Sequence, residues 1–197
     1  MRLLPPAVLV DPGYRVPAAP AASGGLAWLR ASVPRFCDGE VHTRRRALVE
    51  RWVTGVEHAP DPGADPTTVL LQALGLPPDC LPDVKLVAAA YQPHAAQSAG
   101  ADAATDRLVA RCGGRTEVAA ARICVVVQAH AALRALRAQV QAGTDGPPVP
   151  VTRRVDPAGD TVEVDLTDAP FGAGPHSCPG RTIAESWAAA WRAVEAR

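Results

Sequence analysis

The sequence predicts a mainly α-helical protein with a long central helix, a small β-hairpin region and a cysteine loop just ahead of the last helix. Three observations carry that reading. Glu117 to Val140 contains neither Gly nor Pro, and at the standard helical rise it spans roughly 36 Å, enough to cross a domain of this size. Val149 to Val155 and Thr161 to Leu166 alternate apolar and polar residues around Pro157-Ala158-Gly159-Asp160, the pattern of two hairpin strands. Ala169 to Gly180 is rich in Gly and Pro and leads into the amphipathic stretch Thr182 to Ala196. A chain of 197 residues suits one core, so residues 1–197 are expected to form a single domain.

The elements follow in order. Residues 1–25 hold five prolines and end in Gly24-Gly25, which predicts a loop-rich entry with one short strand at Ala7 to Val10. Asp38 stands where an N-cap is expected, and Val41, Leu48, Val49, Trp52 and Val53 recur at helical spacing until Pro60-Asp61-Pro62-Gly63. Short helices fit Pro66 to Leu74, capped by Gly75, and Pro82 to Tyr91, before Pro93. Another fits Ala99 to Cys112, stopped by Gly113-Gly114. The central helix comes next, apolar on most faces through Ile123 to Val127, as a helix through a protein centre must be.

Composition narrows the function. Hydrophobic residues make up 48% of the chain, yet only 4% is aromatic, so the core is built from small side chains. Lys plus Arg and Asp plus Glu stand at 20 each, which leaves no global field to favour nucleic acid or an anionic membrane. The apolar run near Met1 is too short to span a bilayer and is followed by Asp11, so a cytoplasmic protein is expected. Five cysteines, Cys37, Cys80, Cys112, Cys124 and Cys178, form no CxxC pair and leave one over in any disulfide scheme, which points to a reducing compartment. Cys80, Cys112 and Cys124 are expected to be small buried hydrophobes.

Cys178 is the exception. It sits in Phe171-Gly172-Ala173-Gly174-Pro175-His176-Ser177-Cys178-Pro179-Gly180, a loop between a strand and a helix whose glycines let backbone pass close to a large group. A thiol just ahead of a helix N-terminus feels positive potential, which favours the metal-binding thiolate. Zinc bound by Cys178 and His176 is a weak alternative, because the two are separated by one residue and no second ligand pair has metal spacing.

This loop resembles the haem-ligand loop of the cytochrome P-450 family, FGxGxHxCxG, and matches each of its fixed positions, Phe171, Gly172, Gly174, His176, Cys178 and Gly180. The resemblance implies a truncated cytochrome P-450-like fold holding haem b, iron protoporphyrin IX, with Cys178 as the axial thiolate. It implies that His176 reaches toward a haem propionate and that Phe171 packs beside the sulfur. His42-Thr43-Arg44-Arg45-Arg46 resembles the HTRxR sequence of the family's propionate-binding helix, with His42 and Arg46 four residues apart on one face. Pro147-Pro148-Val149-Pro150-Val151-Thr152-Arg153-Arg154 resembles the family's PPVxxTRR strand, whose first arginine, here Arg153, contacts a propionate. Alone, either basic cluster reads as a solvated face; in the family's order along the chain they reinforce one another.

The resemblance makes the central helix the one that crosses the distal haem face, with Ala129 and Leu133 against the cofactor. There the family keeps an acidic residue and a Thr to deliver protons, and this chain has Ala131, Ala132 and Leu133, which hold no transferable proton. His130 is the nearby titratable group, although a histidine in so apolar a helix reads first as a satisfied core residue. The family's ExxR pair, which helps lock the cysteine loop, is replaced by Gln141-Ala142-Gly143-Thr144. The likeness covers about residues 26–197 in broken blocks, with the segments before His42 and from Trp52 to Pro82 shortened most.

The expected function is that of a haem-thiolate oxidoreductase, monooxygenase-like or peroxide-using, acting on a small apolar organic substrate with electrons from a ferredoxin-type donor. The competing expectation is a catalytically impaired, haem-binding or haem-free auxiliary or sensing protein that partners another enzyme. No nucleic-acid or membrane partner is expected.

Overall fold

The computed structural model describes residues 2–56, 61, 63–92, 95 and 98–195. The chain divides into two compact units, Met1–Pro17 with Ala135–Arg197, and Ala18–Arg134. It is mainly helical with one small sheet.

The unit Ala18–Arg134 is helical. It opens with α1, Gly25–Ser32, which buries Leu26, Trp28 and Leu29. The sequence reading assigned no element to residues 26–32. What makes the helix is tertiary: Asp102 accepts the Leu26 N–H at 2.9 Å and Asp106 the Gly25 N–H at 3.3 Å, so carboxylates from elsewhere satisfy the first-turn donors. Next is α2, Gly39–Thr54, with Asp38 at the cap position but making no side-chain cap bond. It ends short of the Pro60 break, and residues 57–60 lie outside the described residues.

Then come α3, Pro66–Ala73, and α4, Leu81–Ala90, each within a residue or so of expectation. Asp65 caps α3 by accepting the Thr68 N–H at 2.9 Å, with Pro66 in the first turn. Arg30 is buried and donates to the carbonyls of Ala90, Tyr91 and Gln92, closing the C-terminal end of α4. Helix α5, Ala99–Arg111, is capped by Ser98 and packs on both α1 and α4.

The long helix α6 runs Glu117–Ala142, two residues beyond expectation. Thr116 caps it by accepting the Ala119 N–H at 3.1 Å. Ala119, Ala120, Ala121, Ile123, Cys124, Val126 and Val127 are all buried, which is the burial on most faces that its composition predicted. Among the described residues α6 is the one helix long and apolar enough to cross a membrane by length and composition; here these side chains are covered by protein.

The other unit holds the sheet and the last helix. Strands β2, Val151–Val155, and β3, Thr161–Asp165, pair antiparallel with Arg153 opposite Glu163. In the turn between them Asp156 accepts the N–H groups of Ala158 and Asp160, both at 3.0 Å. The strand expected at Ala7 to Val10 is instead a 3-10 turn over Pro6–Val10. Pro5 and Pro6 remove two backbone donors a strand needs, and the pairing falls to the preceding residues: β1, Leu3–Leu4, lies parallel to β3. Helix α7, Arg181–Glu195, closes the described chain on buried Trp187 and Trp191, which meet edge-on at 6.1 Å.

Candidate functional site

The cysteine loop is a compact hydrogen-bonded turn. The Gly172 N–H donates to Ala169 O at 2.8 Å and the Ser177 N–H to Gly174 O at 3.0 Å. The Cys178 N–H donates to Phe171 O at 2.7 Å. Gly172 and Gly174 adopt φ of +70° and +67°, conformations that cost other residues energy. A short 3-10 turn over Gly174–His176 carries His176, which is half-buried. Cys178 is exposed, two residues ahead of Gly180, whose carbonyl accepts the Ala184 N–H at 2.9 Å in the first turn of α7.

The glycines were expected to leave room for a large group, and at Gly174 a neighbouring segment of the chain fills the space beside it. A Cβ at Gly174 would lie 3.0 Å from Leu9 O and 3.4 Å from Val10 Cγ1, so that close approach is made by the chain itself. At Gly172 the backbone angle is the constraint, since a Cβ would meet its nearest atoms at an ordinary 3.8 Å. The Phe171 ring lies under the Arg181 guanidinium, 5.6 Å from ring centre to carbon, and its carbonyl holds the Cys178 amide.

Arg153, on β2, reaches across to β3 and donates to Glu163 Oε1 at 3.2 Å, with both side chains under one third exposed. Arg154 is buried, and its guanidinium donates to Arg153 O at 2.9 Å. The structure therefore gives the first arginine of this pair a carboxylate partner that sequence reading did not name. Counting back from the turn would have found Glu163, since strand register pairs it with Arg153.

In the helical unit, α2 carries both His42, 5% exposed, and Arg46, which donates to Glu50 at 2.8 Å. Burial pushes the His42 imidazole below its ordinary pKa, and the nearby Arg46 charge pushes it the same way, so His42 is held neutral with one ring N–H to donate. On α6, Leu133 is buried and Ala129 half-buried. His130 Nδ1 lies 2.8 Å from Thr67 Oγ1, the satisfied core partner expected of it, and burial lowers its pKa too.

Of the other cysteines, Cys80 and Cys124 are buried as expected, whereas Cys112 and Cys37 are half-buried. None of the five forms a disulfide. Cys124 lies 3.8 Å from the Tyr91 hydroxyl and its thiol is pushed up to about 11 by burial, the mark of an inert structural sulfur.

Among the described residues no group of three or more His, Cys, Asp or Glu could hold a metal ion. A bare zinc site takes three or four protein ligands, but iron that arrives in a porphyrin needs only one from a loop such as this. The exposed Cys178 thiol, on a hydrogen-bonded turn, has the donor chemistry for a single bond of that kind.

No family model matches this chain, and no curated protein does. In fold it is similar to the crystal structure of P450BioI in complex with hexadec-9Z-enoic acid ligated acyl carrier protein, at 15% sequence identity and a TM-score of 0.61. That likeness covers 96% of this chain and 82% of the other. At such identity what the two share is the fold.

Proposed function

We propose that this chain is a cytoplasmic haem-thiolate oxidoreductase with a shortened cytochrome P-450-like fold, in which Cys178 ligates the iron of haem b. The observation that carries the reading is the exposed Cys178 on a turn closed by its own amide onto Phe171 O, within a sequence that meets the haem-loop pattern at each fixed position. The fold likeness to P450BioI supports it.

Bound there, haem would supply oxidative chemistry, and thiolate ligation would bias it toward cleavage of an oxygen–oxygen bond. The chain's own part is to hold and neutralise. Cys178 offers its sulfur from a backbone that cannot swing freely, because the amide on the same residue is tied down. The family resemblance assigns positive charge for the propionates to Arg153 and Arg46, an uncharged N–H to His42, and a ring nitrogen on the loop itself to His176. The same resemblance assigns Ala129 and Leu133 to apolar surface against the cofactor. Neither can pass a proton, so use of hydrogen peroxide, which brings its own protons, is favoured over dioxygen with a ferredoxin-type donor.

The substrate class is a small apolar organic molecule. The neighbour's carrier-linked fatty acid makes an acyl chain a sensible first member to try. The absence of the Glu/Arg pair and of an acid/Thr pair favours the second reading, a catalytically impaired haem-binding or haem-free auxiliary or sensing protein that partners another enzyme. Turnover separates the two: haem-loaded protein given an acyl substrate should accumulate oxidised product with peroxide and less with dioxygen and a reduced ferredoxin. Haem uptake with no product under either condition would favour the auxiliary.

A further inference from the structure

We propose that the N-terminal segment, residues 3–10, braces the cysteine loop and positions Cys178, standing in for the absent Glu/Arg ion pair; the functional meaning of that position rests on the haem-thiolate reading. The segment is fixed at several points. Leu3 and Leu4 pair with Glu163 and Val164 of β3, the Glu163 N–H donates to Arg2 O at 2.9 Å, and the Arg2 guanidinium meets buried Asp156 at 2.8 Å. After that anchor the 3-10 turn over Pro6–Val10 drives Leu9, 6% exposed, into a cluster with Val164 and Leu166, where Val8 and Ala173 also pack.

The contact with the loop is direct. Leu9 O and Val10 Cγ1 stand so near Gly174 that any side chain there would press on them, the carbonyl being backbone that cannot rotate away. From Gly174 the path to the sulfur is one hydrogen-bonded turn: Gly174 O takes the Ser177 N–H, and the next amide, that of Cys178, is tied to Phe171 O. Leu9 therefore acts as a positioning residue. It buries the underside of the loop, and the loop's tight geometry is what aims the thiol.

The test uses Leu9→Ala, Gly174→Ala, the conservative Leu9→Ile, and Leu71→Ala, which empties a fully buried position in the other unit. Hydrogen exchange at the Cys178 amide is read on cofactor-free protein, with melting temperature alongside. Leu9→Ala and Gly174→Ala should speed that exchange about tenfold or more, Leu9→Ile should restore protection, and Leu71→Ala should lower the melting temperature without touching it. Unchanged exchange in Leu9→Ala, or equal loss in Leu71→Ala, overturns the brace. On haemin-loaded protein, Leu9→Ala should reduce the fraction giving the thiolate-type spectrum of the reduced carbon monoxide complex, with Leu9→Ile recovering it. If even the unaltered chain takes up no haemin, the haem-thiolate reading fails while the exchange data still decide the brace.

Discussion

Arg153 and Glu163 face one another across the hairpin, guanidinium nitrogen 3.2 Å from carboxylate oxygen. The pair places a negative charge beside the arginine that the haem reading assigns to a propionate. Glu163→Gln should therefore tighten haemin binding several-fold and cost the fold no more than about 1 kcal/mol, the scale of a cross-strand ion pair. Arg153→Gln should weaken binding. Haemin titrations of the two variants check this, and equal weakening in both would mean that Arg153 serves only the sheet.

Glu117 holds the start of α6 to α2. Its carboxylate accepts from Arg44 Nη2 at 2.8 Å and from Arg45 Nε at 2.9 Å, and those hydrogen bonds, that of Arg44 foremost, lower its pKa to about 2. Because the folded pKa is depressed, the contribution is whole above the ordinary carboxylate range and is lost as pH falls toward about 2. Glu117→Gln should cost about 1 kcal/mol at neutral pH, solvent having screened most of the shift, and should flatten the acid limb of a pH-denaturation curve. An acid limb identical to that of the unaltered chain would contradict it.

Protonation works the other way in origin but the same way in sign at His42. Its folded pKa lies below the ordinary histidine value because the imidazole is buried beside Arg46, so the unfolded chain binds the proton more readily. The stability tied to the neutral ring is complete above about pH 6.5 and fades as pH falls below it. His42→Gln should remove that part of the pH dependence of the melting temperature. Persistence of the same slope would place its source elsewhere.

Asp102 caps α1 from α5, accepting the Leu26 N–H at 2.9 Å. Asp102→Ala should cost about 1–2 kcal/mol, the upper range for a lost N-cap, and chemical denaturation measures it. A loss within error would mean that Asp106 alone satisfies the first turn.

The same contact explains why α1 was invisible to a reading of the sequence. Gly24-Gly25 looks like loop, and the groups that make Gly25 a helix start arrive from residues 102 and 106. Where the signals are local, the sequence was sufficient. Pro66 and Gly75 bracket α3, the Gly113-Gly114 stop ends α5, and the apolar run Ile123 to Val127 marks the buried middle of α6. The error at Ala7 to Val10 has the same lesson in reverse, since a short apolar run says burial without saying strand or turn, and Leu9 is indeed buried.

Within the candidate site, the position of Cys178 before α7 was legible from its glycines and helix start. Its exposure was not, and neither was the backing of Gly174 by Leu9, because a close backbone approach leaves no mark on the sequence beyond the glycine itself. Thr67, the partner of His130, comes from a distant helix and likewise carried no local signal.

The most direct measurement is the absorption spectrum of the reduced, carbon monoxide-bound protein after haemin reconstitution. The account predicts the red-shifted Soret band of thiolate ligation, lost in Cys178→Ala. A protein that binds no haemin, or that shows the same band with Cys178 removed, would contradict the assignment of that sulfur to iron.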